Sequence, residues 1–89
     1  MEKNKTPLAQ AIRQVVAEFG EHPFDINDGR CDEFADRVCE LVPDAGVWDL
    51  GIEHGHVCIK WNGRYYDAEE PEGVRHWRQL PIIVRNRRK

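Results

Sequence analysis

Long apolar runs are missing from this chain of 89 residues: none approaches the roughly 20 residues that a membrane-spanning helix needs. The opening Met-Glu-Lys-Asn-Lys-Thr-Pro is charged and has no apolar stretch behind it. That argues against a secretory signal, so the expectation is a cytoplasmic protein with no membrane partner. A basic face with interleaved aromatics is also lacking. Arg85, Arg87, Arg88 and Lys89 form a short basic tail on a chain whose net charge is −3. Such an end is expected to be solvated rather than to bind nucleic acid. There are no internal repeats and no low-complexity segments. Cysteine is scarce and odd in number, since three residues cannot all pair within one chain. In a reducing compartment they are expected to be free thiols, which directs attention to catalysis or metal binding.

What is present describes a globular domain. A hydrophobic share of 40% beside 33% charged residues excludes the low-hydrophobicity signature of disorder. The length allows one domain, placed at residues 1–84 with a tail at 85–89, and a core of modest size. Thr6-Pro7 signals a helix start. Leu8, Ile12, Val15, Val16 and Phe19 then recur on one helical face, and Gly20 closes it. A loop is expected from His22-Pro23 to Gly29. The second helix, capped by Asn27 or Asp28, carries Phe34, Ala35, Val38, Leu41 and Val42 on its apolar stripe and ends at Pro43. The period then changes. Val47, Trp48, Leu50 and Ile52 suit a strand, as do His56 to Trp61 and the returning Arg64 to Glu69. Pro71-Glu72-Gly73 is expected to break the last of these. A short helical turn between Val74 and Leu80 and an edge strand at Ile82, Ile83 and Val84 would follow. Helices followed by strands predict an α+β domain, two helices packed on a small antiparallel sheet.

The hairpin carries the chemistry. Asn62-Gly63 predicts a two-residue type I′ turn, because both central positions need positive φ. The register then runs Trp61 with Arg64, Lys60 with Tyr65, Ile59 with Tyr66, Cys58 with Asp67 and His56 with Glu69. His56, Cys58, Asp67 and Glu69 share one face, and Asp67 lies diagonally across from His56. A carboxylate there would orient the imidazole and stabilise its charged form. Cys31 falls in the first turn of the second helix, where the helix N-terminus lowers a thiol's pKa and free N–H groups can bind an oxyanion. Nucleophile, base, orienting acid and oxyanion donors can all be drawn from these residues.

The same residues resemble a known superfamily. Gly29-Arg30-Cys31-Asp32-Glu33-Phe34-Ala35 resembles the nucleophile turn and helix of transglutaminase-like proteins. Gly55-His56-Val57-Cys58-Ile59 resembles their histidine strand, and Asn62-Gly63-Arg64-Tyr65-Tyr66-Asp67 the hairpin that leads to the acidic residue. The chain order Cys, His, Asp is similar to that of papain-like cysteine enzymes. The stretch Asp67-Ala68-Glu69 with Pro71-Glu72-Gly73-Val74 and Trp77 resembles small phage and bacterial proteins of this type. Two departures stand out: Cys58 occupies a position usually held by Trp, and the His-to-Asp spacing is short. The resemblance implies a papain-like or transglutaminase-like core with Cys31, His56 and Asp67 as a catalytic triad and no cofactor. It also implies an amide side chain shortly before the nucleophile as oxyanion helper. Asn27 is the only amide there, although its residue type equally suits a cap or turn.

Plainer readings stand beside these. Cys39 is expected in the core, His54 in a loop and His76 at the surface. The aromatic residues are expected as core or cleft wall, and Glu69 is a rival to Asp67 for His56. The functional expectation is a thiol hydrolase, a peptidase or amidase acting on an amide, isopeptide or thioester bond of a protein or peptide substrate. One alternative is a catalytically inactive module of the same fold that binds a protein partner. Another is a zinc site built from His54, His56 and Cys58. The oligomeric state is left open, with a dimer compatible with so small a core.

Overall fold

Capping chemistry opens the first helix as the sequence requires. In the computed structural model, which describes residues 6–87, the Thr6 hydroxyl oxygen accepts from the Ala9 N–H at 3.1 Å and Pro7 takes the first helical position. Helix α1 (Pro7–Phe19) ends at Gly20, whose φ of 67° supplies the left-handed cap. A short helix α2 (Pro23–Asn27) replaces the expected loop. Its cause is local. His22 caps it, Nδ1 accepting from the Phe24 N–H at 3.1 Å, and Pro23 presets the first turn. Helix α3 (Cys31–Leu41) takes its cap position at Arg30 rather than at Asn27 or Asp28. Arg30 makes no side-chain cap, because a guanidinium has no acceptor to offer a helix N–H; it bridges Glu21 at 2.6 Å and Glu33 at 3.3 Å.

Strands β1 (Gly46–Asp49), β2 (Val57–Trp61), β3 (Arg64–Asp67) and β4 (Glu70–Val74) form one antiparallel sheet in chain order. Asn62 and Gly63 have φ of 50° and 76°, the positive pair of a type I′ turn. The pairs Trp61–Arg64, Lys60–Tyr65 and Ile59–Tyr66 follow as expected. Two expectations for the later chain need correction. β3 ends at Asp67, and Pro71-Glu72-Gly73 lies inside β4 rather than breaking the sheet. β4 is an edge strand, where a proline's missing N–H need not cost a ladder bond. Ile82, Ile83 and Val84 are helical, not a strand: they belong to α4 (Pro81–Arg87), reached through a 3-10 turn at Trp77–Gln79. Proline at the first position of α4 is the local cause. Arg85 and Arg87 are thus part of a helix, while Arg88 and Lys89 of the basic tail and the charged opening at residues 1–5 lie outside the described residues.

The α+β class holds, and the sheet is covered unequally. Side chains alternate between faces along a strand. Ile59 and Tyr66 join the main core with Leu8, Ile12, Val15, Phe34 and Val38 of α1 and α3. Cys58 points the other way, into a smaller cluster with Leu80, Ile82 and Ile83. The C-terminal segment therefore gives the sheet a second core that the helix-then-strand order did not predict. Among the described residues no helix is long and apolar enough to cross a membrane.

Gly73 shows how tightly β4 is held. A Cβ there would lie 2.6 Å from the Tyr66 ring, and φ is 82°. Tyr66 is buried and cannot swing aside. Gly73→Ala is expected to destabilise the domain by about 2–4 kcal/mol through backbone strain and overpacking. The check is a urea titration: the midpoint should fall with the slope unchanged, and an unmoved midpoint would contradict the packing of β4 on Tyr66.

Candidate functional site

Cys31 is the first residue of α3 and is partly exposed. The first N–H groups of a helix have no intrahelical acceptor. In α3 Arg30 supplies no side-chain cap and the Asp32 carboxylate takes the Glu33 N–H at 2.9 Å, which leaves the Cys31 and Asp32 N–H groups at the positive end beside the sulfur. His56 immediately precedes β2 and is buried, with Nε2 hydrogen-bonded to Asp67 Oδ2 at 3.0 Å. The second carboxylate oxygen of Asp67 accepts the Glu69 N–H at 3.0 Å, which fixes the side chain's orientation. The three residues singled out from the sequence therefore come together, although the β2–β3 ladder ends at Ile59–Tyr66 and does not include the expected Cys58–Asp67 and His56–Glu69 pairs.

With Nε2 occupied, Nδ1 is the ring nitrogen left for the thiol. It is buried and closes no aligned hydrogen bond, yet interaction with His56 is the main influence on Cys31. Unliganded sites often hold such contacts loosely and align them when substrate enters. The His56 contact draws the thiol's pKa below 9.0, against partial burial, with help from the Val57 N–H and the imidazole charge and opposition from Asp32. For His56, burial alone would lower the pKa. The hydrogen bond to Asp67, with the contact to Cys31, outweighs it and raises the imidazole from 6.5 to about 9. In free side chains the imidazolium is the stronger acid and both groups are neutral near pH 8. Here the thiol is drawn down and the imidazole is raised, and both shifts favour the thiolate–imidazolium pair.

The other cysteines meet different surroundings. Cys58 is fully buried, and desolvation, with Asp67 and Cys31 nearby, pushes its thiol up to about 12. Cys39 packs against the main core and is raised by burial and by Asp36. Glu69 does not compete for His56. Its carboxylate accepts from Asn27 Nδ2 and from both terminal nitrogens of Arg85, each at 2.9 Å. Burial would raise Glu69, but Arg85 and Asn27 outweigh it and hold the carboxyl below its ordinary value.

Cys31 and Gly55 sit where two hollows meet. One, of about 610 Å³, is also lined by Phe24, Asn27, Ile82 and Arg85. The other, of about 320 Å³, is lined by Asp49, Ile52, His56 and Val57. Asn27 is buried at the rim of the first. Arg85 was assigned to a solvated tail; no local pattern ties it to Glu69, 16 positions away. The suggested zinc ligands do not gather. His54 stacks on Trp77 with ring centroids 4.7 Å apart, and among the described residues no three His, Cys, Asp or Glu side chains are grouped to hold a metal ion. His76 is exposed and caps the 3-10 turn, accepting the Arg78 N–H at 3.1 Å.

No protein-family model, curated protein or solved structure matches the chain. The likeness to papain-like and transglutaminase-like enzymes therefore rests on the sequence motifs, and the chemistry on the geometry above.

The charge states lead to two pH-dependent expectations. Cys31 should alkylate with iodoacetamide at a pH midpoint below 9.0, while Cys58, near 12, stays inert. Asp67→Asn removes the main support of the imidazolium, so burial wins, His56 turns neutral and the Cys31 midpoint moves up. Mass spectrometry of each cysteine peptide across pH checks this; an unmoved midpoint in Asp67→Asn would break the link. Folding stability follows the same proton. A raised imidazole pKa contributes stability in full below 6.5 and loses it as pH rises through about 9. The depressed Cys31 pKa contributes the opposite slope, gaining as the unfolded thiol approaches 9.0. Removing the thiol with Cys31→Ser should therefore expose a steeper alkaline loss than the wild type shows in urea titrations.

Proposed function

We propose that this protein is a thiol-dependent hydrolase, a peptidase or amidase of the papain-like or transglutaminase-like kind, with Cys31 as nucleophile, His56 as acid and base, and Asp67 as the orienting group. The observation that carries the reading is the buried His56–Asp67 bond at 3.0 Å with the second ring nitrogen left for a thiol of lowered pKa. The Cys31 thiolate attacks the carbonyl carbon of an amide and forms a carbon–sulfur bond. The tetrahedral oxyanion is held by the Cys31 and Asp32 N–H groups at the start of α3, with Asn27 of the cleft lining as the side-chain candidate. Collapse breaks the carbon–nitrogen bond, and His56 gives its proton to the leaving amine. Water then adds to the thioester, His56 Nδ1 takes its proton, and a carboxylic acid leaves with the thiolate restored. Water is the favoured acceptor because the partly exposed Cys31 lines two hollows open to solvent.

The test uses a generic acyl donor. Wild type incubated with p-nitrophenyl acetate should acquire one acetyl group on Cys31, seen by mass spectrometry, and lose it to water with turnover of nitrophenol. Cys31→Ala should abolish the adduct while keeping the fold, and His56→Ala should slow acylation by about 10²-fold or more. Full turnover in Cys31→Ala would sink the proposal.

A second reading, a non-catalytic module that binds a protein partner, has one observation in its favour. Val47, Trp48 and Ile52 are 44%, 40% and 101% exposed along and just beyond the edge strand β1, and an open edge offers unpaired backbone groups to another chain. An ordinary, slowly alkylated Cys31 with no acyl adduct would favour this reading over the first.

A further inference from the structure

Glu69 gathers more contacts than a turn residue needs. Its backbone N–H is held by Asp67 Oδ1 at 3.0 Å. Its carboxylate takes Arg85 Nη1 on Oε2 and Arg85 Nη2 on Oε1, both at 2.9 Å, in a fork-to-fork pair. The same carboxylate takes Asn27 Nδ2 at 2.9 Å. Arg85 is in turn laid over the Phe24 ring, 4.4 Å from its centroid, which ties α4 to α2. Asn27, Arg85 and Phe24 all line the larger hollow together with Cys31.

The orientation of Asn27 follows from this charge. An amide has two faces, one of donors and one of acceptor lone pairs. A carboxylate repels the acceptor and admits only the donor. Asn27 accordingly turns Nδ2 to Glu69, although this leaves Oδ1 buried without a partner among the described residues. One N–H of the amide is used on Glu69, and the second makes no further hydrogen bond among the described residues. A neutral partner at position 69 would not impose this, because a second amide pairs with Asn27 either way round.

Resting on the thiol reading above, we propose that Glu69 and Arg85 are positioning residues that fix the donor face of Asn27 for the oxyanion formed at Cys31. Glu69 supplies the charge that selects the face, and Arg85 keeps that carboxylate ionised and in place from α4. The C-terminal helix is then part of the reacting site's support. Asn27 touches the reacting oxygen; Glu69 and Arg85 act through it.

The test separates two reactions of one sulfur. Acetylation by p-nitrophenyl acetate passes through a tetrahedral oxyanion, whereas alkylation by iodoacetamide does not. The ratio of the two rates on Cys31 therefore reads the oxyanion donors alone. Asn27→Ala should lower the ratio by about 10²-fold, the usual size for one donor. Glu69→Gln and, as a second variant, Arg85→Gln should each lower it by about tenfold or more, since small displacements of a positioned group are costly. Adding Glu69→Gln to Asn27→Ala should change the ratio no further, because Glu69 works through that side chain. Circular dichroism identifies any variant that has lost its fold, and the other of the pair then decides. A ratio unchanged in the folded variants, or a full extra loss in the double variant, overturns the positioning role while leaving the thiol reading intact. Wild type that neither acylates nor alkylates faster than a free thiol overturns both.

Discussion

A carboxylate and an imidazole removed from water and bonded at 3.0 Å form the constraint on which the rest of the candidate site depends. Either group buried alone would be costly, so each is tolerable only because the other is there. The pairing demands that the start of β2 and the end of β3 stand in one register, and the Asn62-Gly63 turn supplies it through two positive φ angles. It also demands that Asp67 not rotate, which the Glu69 N–H ensures. The hydrogen bond to Asp67, with the contact to Cys31, then outweighs the burial of His56 and raises its pKa, and the contact with His56 draws down Cys31. A backbone turn thus reaches the sulfur's charge state through one ion pair.

Three chemically identical thiols show that position, not residue type, decides the outcome. Cys58 is near the pair yet lies among Leu80, Ile82 and Ile83, where nothing compensates for losing water, and its proton is held more tightly. Cys39 packs against the main core and is moved the same way. Cys31 alone has an imidazole, a backbone N–H and a helix start beside it, and it moves in the opposite direction.

The legible parts of the chain were those whose signals are local. Thr6-Pro7, Gly20 and Asn62-Gly63 each act through their own backbone preferences, and each did what those preferences require. The juxtaposition of His56 and Asp67 was readable because it follows from that turn by counting. The C-terminal third was misread where apolar content and punctuation conflict. Ile82, Ile83 and Val84 are a short apolar run that suits strand or helix alike; Pro81 at a helix start was the deciding signal. Pro71 reads as a breaker unless the strand is known to be an edge. The contact of Arg85 with Glu69 and Asn27 had no local signature, because it depends on α4 folding back over the sheet.

The placement of polar side chains supports the proposed thiol site over a bare scaffold. Asn27, His56 and Asp67 are the buried polar and charged residues among those described, and they are joined through Glu69 beside one cysteine. Buried ion pairs are weak contributors to stability compared with apolar packing of the same volume. In a domain whose two apolar cores are small, selection for stability alone would favour apolar residues at these positions. It would also favour a side-chain cap at position 30, which Arg30 does not supply. Both features weaken the fold locally and concentrate donors and charge at the same point, beside Cys31. Strongly perturbed groups gathered at a cleft are the usual mark of a reacting centre, and here the perturbation, the open helix end and the two hollows converge on a single sulfur.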